Sequence, residues 1–312
     1  MKPLCYTVPA ALNGARLSVF LRAQGLSAGL TKAVKYHGGG FFADGAPVFT
    51  DAAVLAGQRI TFCLPPEKDT GVTPQPVAFS ILLEDDFVAV LNKPAGLAVH
   101  PTLNYPDHTL ANGWLYHLEQ QGRTGIFRPV NRLDKNTSGL VLCAQNAFAA
   151  PALASTAHKR YLAVASGELP LGPGEIDAPI GRRGDSIIGR CVSPQGKPSL
   201  TRYTVLDANP AASLLLCETV TGRTHQIRVH CAWLGHPLFG DSLYGGPAWP
   251  CQEDGGETGR QALHCTALRF VHPAARQTVL LTAPPPPDMR RLSTALSLAL
   301  PTDEQVREAA AR

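Results

Sequence analysis

The segment NRLDKNTSGLVL, residues 131–142, decides how this chain is read. Five successive polar residues, Asp134 to Ser138, lie between Leu133 and the apolar run Leu140, Val141, Leu142. That pattern predicts a turn feeding a strand, with Asp134 and Ser138 bonding nearby backbone groups. Asp134 also stands among cations, Arg132 and Lys135, and an ionised carboxylate can serve as a nucleophile or a base. Taken alone, the loop argues for turn capping over chemistry.

On either side of it the chain is strand-rich. FVAVLNKPAGLAVHP (87–101) predicts a strand, a tight turn at Pro94 to Gly96, and a second strand. GLVLCAQ (139–145), RYLAVASG (160–167), LTRYTVLD (200–207) and SLLLCETV (213–220) predict further strands, and ALHCTALRFVHP (262–273) with TVLLTAP (278–284) a closing pair. Strand-to-strand passages with occasional helices predict an α+β fold with a mixed, largely antiparallel central sheet. The clearest helix is 224–234, with Thr224 as cap, Ile227, Cys231 and Leu234 on one face, and Gly235 and Pro237 ending it.

The first 64 residues read as a small α/β unit. A helix from Leu17 stops at Gly25, a second spans Ser27 to Tyr36 with Ser27 as cap, Asp44-Gly45 turns a hairpin, and QRITFCLP (58–65) closes the unit. Prolines 65, 66, 74 and 76 mark a linker over 65–76. The expected division is therefore 1–64, linker 65–76, a large domain 77–296 and a tail 297–312 whose last dozen residues fray.

Composition bounds the function. Forty-five per cent hydrophobic and 17% charged residues describe a folded globular chain, and a net charge of +4 permits a nucleic-acid partner without requiring one. Eight cysteines are spread singly, as expected of reduced thiols in the cytoplasm, and neither a signal peptide nor a membrane span is visible. Within TGRTHQIRVH (221–230), Arg223 and Arg228 near a helix start suit an anion, although a solvated helix face explains them equally well. His225, His230, His236 and His264 invite a metal reading with Cys231 or Cys265, but His225 and His230 are five apart and miss the spacing of a helical zinc pair. No metal is expected. GRRGDS (181–186) lacks Walker spacing and reads as a basic loop or a plain hairpin.

Six motifs in order carry a resemblance: LNKPAGLAVHP (91–101), NRLDKNTSGLVL (131–142), KRYLAVASG (159–167), GKPSLTRYTVL (196–206), TGRTHQIRVHCAWLGHPLFGDSLYG (221–245) and LHCTALRFVHP (263–273). Together they resemble the pseudouridine synthases of the RluA type, which isomerise uridine in ribosomal or transfer RNA. The amino-terminal unit is similar to the RNA-binding module of ribosomal protein S4, with modest basic content (Lys32, Lys35) and an unusual GGGFF. Where the family most often has His before Arg-Leu-Asp, this chain has Asn131, which cannot titrate near neutrality.

The resemblance implies a reaction that breaks the N1–C1′ bond, turns the uracil and rejoins it through C5. No electrons are exchanged, so no cofactor is implied. Asp134 would attack or deprotonate the ribose, Arg223 would be its cation partner, and Tyr161 would stack on the uracil. The target base must leave its stack, and Arg132 matches the family's intercalating arginine. Lys93, Arg182, Arg183, Arg190, Lys197 and Arg228 become candidates for RNA phosphates. A cytoplasmic monomer acting on ribosomal RNA follows, with transfer RNA the alternative. Two rivals stand beside this reading. One is a glycoside hydrolase with Asp241 as second carboxylate, and the other is an inactive RNA-binding or ribosome-assembly protein.

Overall fold

The structure is a computed structural model that describes residues 3–67, 71–250 and 259–311. In the amino-terminal unit, β1 (Leu4–Thr7), β2 (Phe41–Ala43), β3 (Ala46–Val48) and β4 (Arg59–Phe62) form an antiparallel sheet in the order β1-β4-β2-β3. Helices α1 (Leu17–Ala23) and α2 (Ala28–His37) complete it. Ser27 accepts from the Leu30 amide at 3.2 Å and so caps α2. Asp44 and Gly45, at φ 50° and 87°, supply the two left-handed residues that a tight hairpin between β2 and β3 requires. The core is Leu17, Phe20, Leu21, Val34, Phe41, Ile60 and Phe62, and Phe148 from the larger part of the chain joins it. The unit is therefore docked through an apolar contact rather than loosely tethered.

The larger part is built on β5 (Ser80–Glu84), β6 (Val88–Lys93), β7 (Ser138–Ala144), β8 (His158–Ser166), β9 (Gly172–Asp177), β12 (Leu200–Asn209), β13 (Ala212–Thr219), β14 (Leu263–Val271) and β15 (Thr278–Thr282). A separate hairpin pairs β10 (Ile180–Arg182) with β11 (Arg190–Val192). Among the described residues the sheet runs β5-β6-β7-β14-β8-β13-β12-β9, with β15 also on β14. Its single parallel pair is β7 with β14, which gives the mixed, largely antiparallel α+β architecture read from the sequence. The closing pair β14–β15 does form, but β14 lies inside the sheet, between β7 and β8, where its apolar residues are covered on both sides.

That parallel contact is tight. Gly139 has φ 110°, and a Cβ there would lie 2.3 Å from the Cys265 carbonyl oxygen, so only glycine lets β7 reach β14 directly after the 131–138 loop.

Three local expectations change. After β6 and the Pro94–Gly96 turn there is no second strand; Ala98 and Val99 instead offer their carbonyls to the first amides of α3 (Leu110–Gln120). Helix α5 (Gln226–Trp233) starts two residues later than expected, because His225 at its N-cap is left-handed with φ 58°, and Thr224 does not cap it. The tail is helical up to its last described residue. After α4 (Ala149–Thr156) and α6 (Pro287–Ala295), helix α7 (Asp303–Ala311) buries Val306 and Ala310, four residues apart, against Ala267. The expected linker is strapped down where it is described, with Glu67 on Arg128 at 3.0 Å and the Thr73 carbonyl on Asn112 at 2.8 Å. Residues 68–70 of that linker, Cys251 and Arg312 lie outside the described residues.

Gly139→Ala should cost more than about 2 kcal/mol in urea unfolding. Gly122→Ala, with φ 65° but nothing within 4 Å of its added Cβ, should cost about half that or less. Equal losses in the two variants would refute the close-approach argument.

Candidate active site

The loop before β7 is a turn with its back fixed. Val130 donates to the Leu142 carbonyl at 2.7 Å, and Asn131 extends this ladder with its side chain, donating to Leu140 O at 3.1 Å and accepting from Leu142 N at 2.7 Å. Thr137 N donates to Asp134 O at 3.1 Å and closes the tip. Behind the tip, Lys93 donates to Pro94 O, Leu97 O and Lys135 O at 2.8 to 2.9 Å. Arg260 donates to Asn136 O at 3.0 Å and Ser138 Oγ at 3.1 Å, while its Nε holds Asp288 at the start of α6 at 2.8 Å. Gln261 donates to Thr137 Oγ1 at 3.3 Å, and Ser138 is hydrogen-bonded to His264 at 2.9 Å.

The Asp134 carboxylate faces away from these braces. Arg228, on the first turn of α5, donates from Nη1 to Asp134 Oδ2 at 2.8 Å and grips Asp241 with Nε and Nη2 at 2.7 and 2.8 Å. Burial disfavours the Arg228 charge, but the ion pairs with Asp241 and Asp134 outweigh it and raise its proton affinity. The three side chains differ in access: Asp134 keeps 27% of its surface, Arg228 8% and Asp241 1%. Asp134 is thus the carboxylate of this trio that a substrate can reach.

His225 and Tyr244 form the next layer. The left-handed backbone of His225 brings Nε2 to 3.8 Å from Asp134 and Nδ1 to 2.8 Å from the Tyr244 hydroxyl, which also accepts from Arg190 N at 3.0 Å. Desolvation lowers the His225 proton affinity against the pull of Asp134, so it acts as a neutral imidazole. Tyr161, on β8, is buried; desolvation raises its phenol well above the ordinary range, and nearby Cys265 and Asp134 add to this. It can stack and donate a hydrogen bond, but as a base it is poor.

The residues proposed from sequence sort differently here. Arg223 is not the cation partner of Asp134; its Nε donates to Pro198 O at 3.1 Å, and Arg228 takes the partner position. Lys93 is not a phosphate contact, since it is wholly buried on backbone carbonyls. Arg132 is exposed, without a hydrogen bond or ion pair among the described residues. Arg182 and Lys197 are exposed, and Arg183 is partly exposed with Asp185 at 2.8 Å. The histidines of the metal reading are dispersed: His230 bonds Thr201 and Ala178 O, His236 bonds Ser166 O, and His264 bonds Ser138. Asp241 is closed off by Arg228, so it is unavailable as a second glycosidase carboxylate. Sequence reading weighed His225 only as a metal ligand and missed Tyr244, Arg260 and Gln261. For the last two a signal existed, because a charged and an amide residue directly before a buried strand need buried partners.

Residues 87–233 match the RNA pseudouridylate synthase family. The uncharacterized RNA pseudouridine synthase YjbO of Bacillus subtilis is 38% identical, with 86% of this chain and 94% of that protein covered. Ribosomal large subunit pseudouridine synthase D of Neisseria meningitidis is also 38% identical, over 96% of this chain and 83% of the relative. The human protein RNA pseudouridylate synthase domain containing 1 superposes with a TM-score of 0.57 at 30% identity, over 75% of this chain and 95% of that one.

Burial pulls the Lys93 ammonium down to about 7, with the Arg260 charge adding and Asp134 opposing. In the unfolded chain lysine titrates near 10.4, so between about pH 7 and 10 the unfolded state binds more protons. The stability cost of Lys93 is complete below pH 7 and is relieved as pH rises. Wild type should therefore gain stability relative to Lys93→Met between pH 7 and 10 in urea unfolding. A pH-independent difference would mean the three carbonyls hold the proton against desolvation.

Proposed function

Because this chain belongs to the RNA pseudouridylate synthase family and isomerises uridine in RNA to pseudouridine, we propose that Asp134 is its catalytic carboxylate and that the uridine is flipped out to reach it. The observation that carries this reading is the trio Asp134–Arg228–Asp241. Arg228 is fixed by a buried carboxylate on one side and offers its remaining donor to the one carboxylate that stays open. That geometry suits attack on, or proton removal from, the ribose of an extruded nucleotide. The glycosidic bond from N1 breaks, the uracil turns, C5 joins C1′, and the proton on C5 leaves while N1 is protonated. Atoms and electrons balance within the nucleotide, so the reaction calls for no cofactor or metal.

Tyr161 supplies a buried ring beside Asp134 on which the uracil stacks. Arg132, exposed and unpaired two residues from Asp134, fills the gap left by the flipped base. Arg182, Arg183, Arg190 and Lys197, on and beside the β10–β11 hairpin, contact phosphates, and Tyr244 ties that hairpin to the site through Arg190 N. In the amino-terminal unit, a cavity of about 280 Å³ is lined by Arg22, Lys32, Lys35, Tyr36, Ser18 and Thr50. Its three cations, hydroxyls and aromatic ring support a second RNA contact there.

Ribosomal RNA is the substrate we assign, after the relative named for the large ribosomal subunit, with transfer RNA the runner-up. Among the described residues no helix is long and apolar enough to cross a membrane. We place the protein in the cytoplasm as a monomer.

Asp134→Ala should reduce pseudouridine formation in total RNA to background while the thermal midpoint and RNA affinity stay close to wild type; retained activity would sink the assignment. Arg228→Met should lower turnover by about 10²-fold or more, and Arg223→Met by far less. If Arg223→Met proved the more damaging, Arg228 would not be the catalytic partner.

A further inference from the structure

Beside the catalytic loop stands a turn whose side chains the protein leaves uncovered. Thr102 and Tyr105 close it with reciprocal backbone bonds of 2.9 and 3.1 Å. Leu103 at the tip is 103% exposed, and Tyr105 keeps 42% of its surface. The ammonium of Lys135 lies 4.0 Å from the centroid of the Tyr105 ring. Since Lys135 follows Asp134 directly, this cation–π contact fixes the turn next to the catalytic carboxylate. At the base of the turn His100 packs edge-on to Phe127, with ring centroids 5.1 Å apart. Among residues 100–109 the one acid, Asp107, lies 3.2 Å from its neighbour His108.

An isolated leucine held fully in water gains nothing by burial within its own fold, and here it shares its turn with Tyr105, whose ring carries the exposed Lys135. Unstacked nucleotides present both matching surfaces: apolar base faces for Leu103 and Tyr105, and phosphates for Lys135. We propose that Leu103 and Tyr105 form a stacking platform for the unpaired RNA bases flanking the target uridine, held by Lys135 at the edge of the active site. The inference rests on Asp134 being the catalytic carboxylate. It makes this turn a determinant of which sequence context is accepted, separate from the chemistry.

The test is fluorescence anisotropy at fixed salt with a labelled short oligouridylate and an abasic oligomer carrying the same number of phosphates. Wild type should prefer the oligomer with bases. Tyr105→Ala should lose about tenfold in affinity for it, Leu103→Ser a smaller part, and Tyr105→Phe almost none, while binding to the abasic oligomer stays unchanged throughout. Unchanged oligouridylate affinity in both Tyr105→Ala and Leu103→Ser overturns the proposal. So does self-association of wild type, seen by sedimentation and abolished by Leu103→Ser, because the turn would then be covered by a second copy. Asp134→Ala, assayed in parallel for pseudouridine formation, separates the two readings. Activity that survives it refutes the catalytic assignment, whereas the base preference depends on Tyr105 and Leu103.

Discussion

A guanidinium taken into the interior must bring counter-charge with it, and Arg228 shows how that requirement shapes the site. Removing one partner from a buried pair leaves an uncompensated charge that costs several kcal/mol, so Asp241, 1% exposed and bonded through both oxygens, is what allows Arg228 to sit on the inner face of α5. The bidentate grip fixes the plane of the guanidinium and leaves Nη1 aimed at Asp134. Asp134 thereby gains a cation that cannot swing away, while its own exposed edge remains for the substrate. The left-handed His225 belongs to the same solution. It turns the chain sharply before α5, so that Arg228 enters from the first helical turn while the imidazole joins Tyr244.

The opposite side of the loop is held through its backbone. Lys93 and Arg260 are both cations, yet they spend most of their donors on carbonyls at positions 135, 136 and nearby, and Gln261 and His264 take the hydroxyls of Thr137 and Ser138. Backbone clamps fix where Asp134 starts without bonding its carboxylate, whose direct cation contact is Arg228. Asp288 balances the half-buried Arg260, whose charge adds to the lowering of the buried Lys93 ammonium. Placing the supports on β6, β14 and α6 makes the loop as rigid as the sheet.

Strands and the helix pair of the amino-terminal unit were legible because alternation, apolar runs and turn residues are local signals. Motif order pointed to Asp134, which the fold pairs with Arg228. What sequence could not supply was the partner of that carboxylate. Arg223 and Arg228 lie five residues apart at one helix start, and the choice depends on where α5 begins, which the unusual φ of His225 decides. Lys93 was misassigned for a related reason. Lysines are ordinarily exposed, but this one ends a strand opposite Gly139 in register, which turns its side chain into the space behind the loop. The parallel pairing of Ser138 and Gly139 with His264 and Cys265 joins segments more than a hundred residues apart, and no local pattern announces it.

Asn131 shows how the scaffold and the chemistry divide. Its side chain is buried and acts as a surrogate peptide group, donating to Leu140 O and accepting from Leu142 N, so it continues the ladder of Val130 for one more step before the chain turns toward Asp134. An amide meets both demands at any pH. Asn131 thus meets this geometric requirement without exchanging a proton. The position shapes the turn that leads to Asp134, three residues further along.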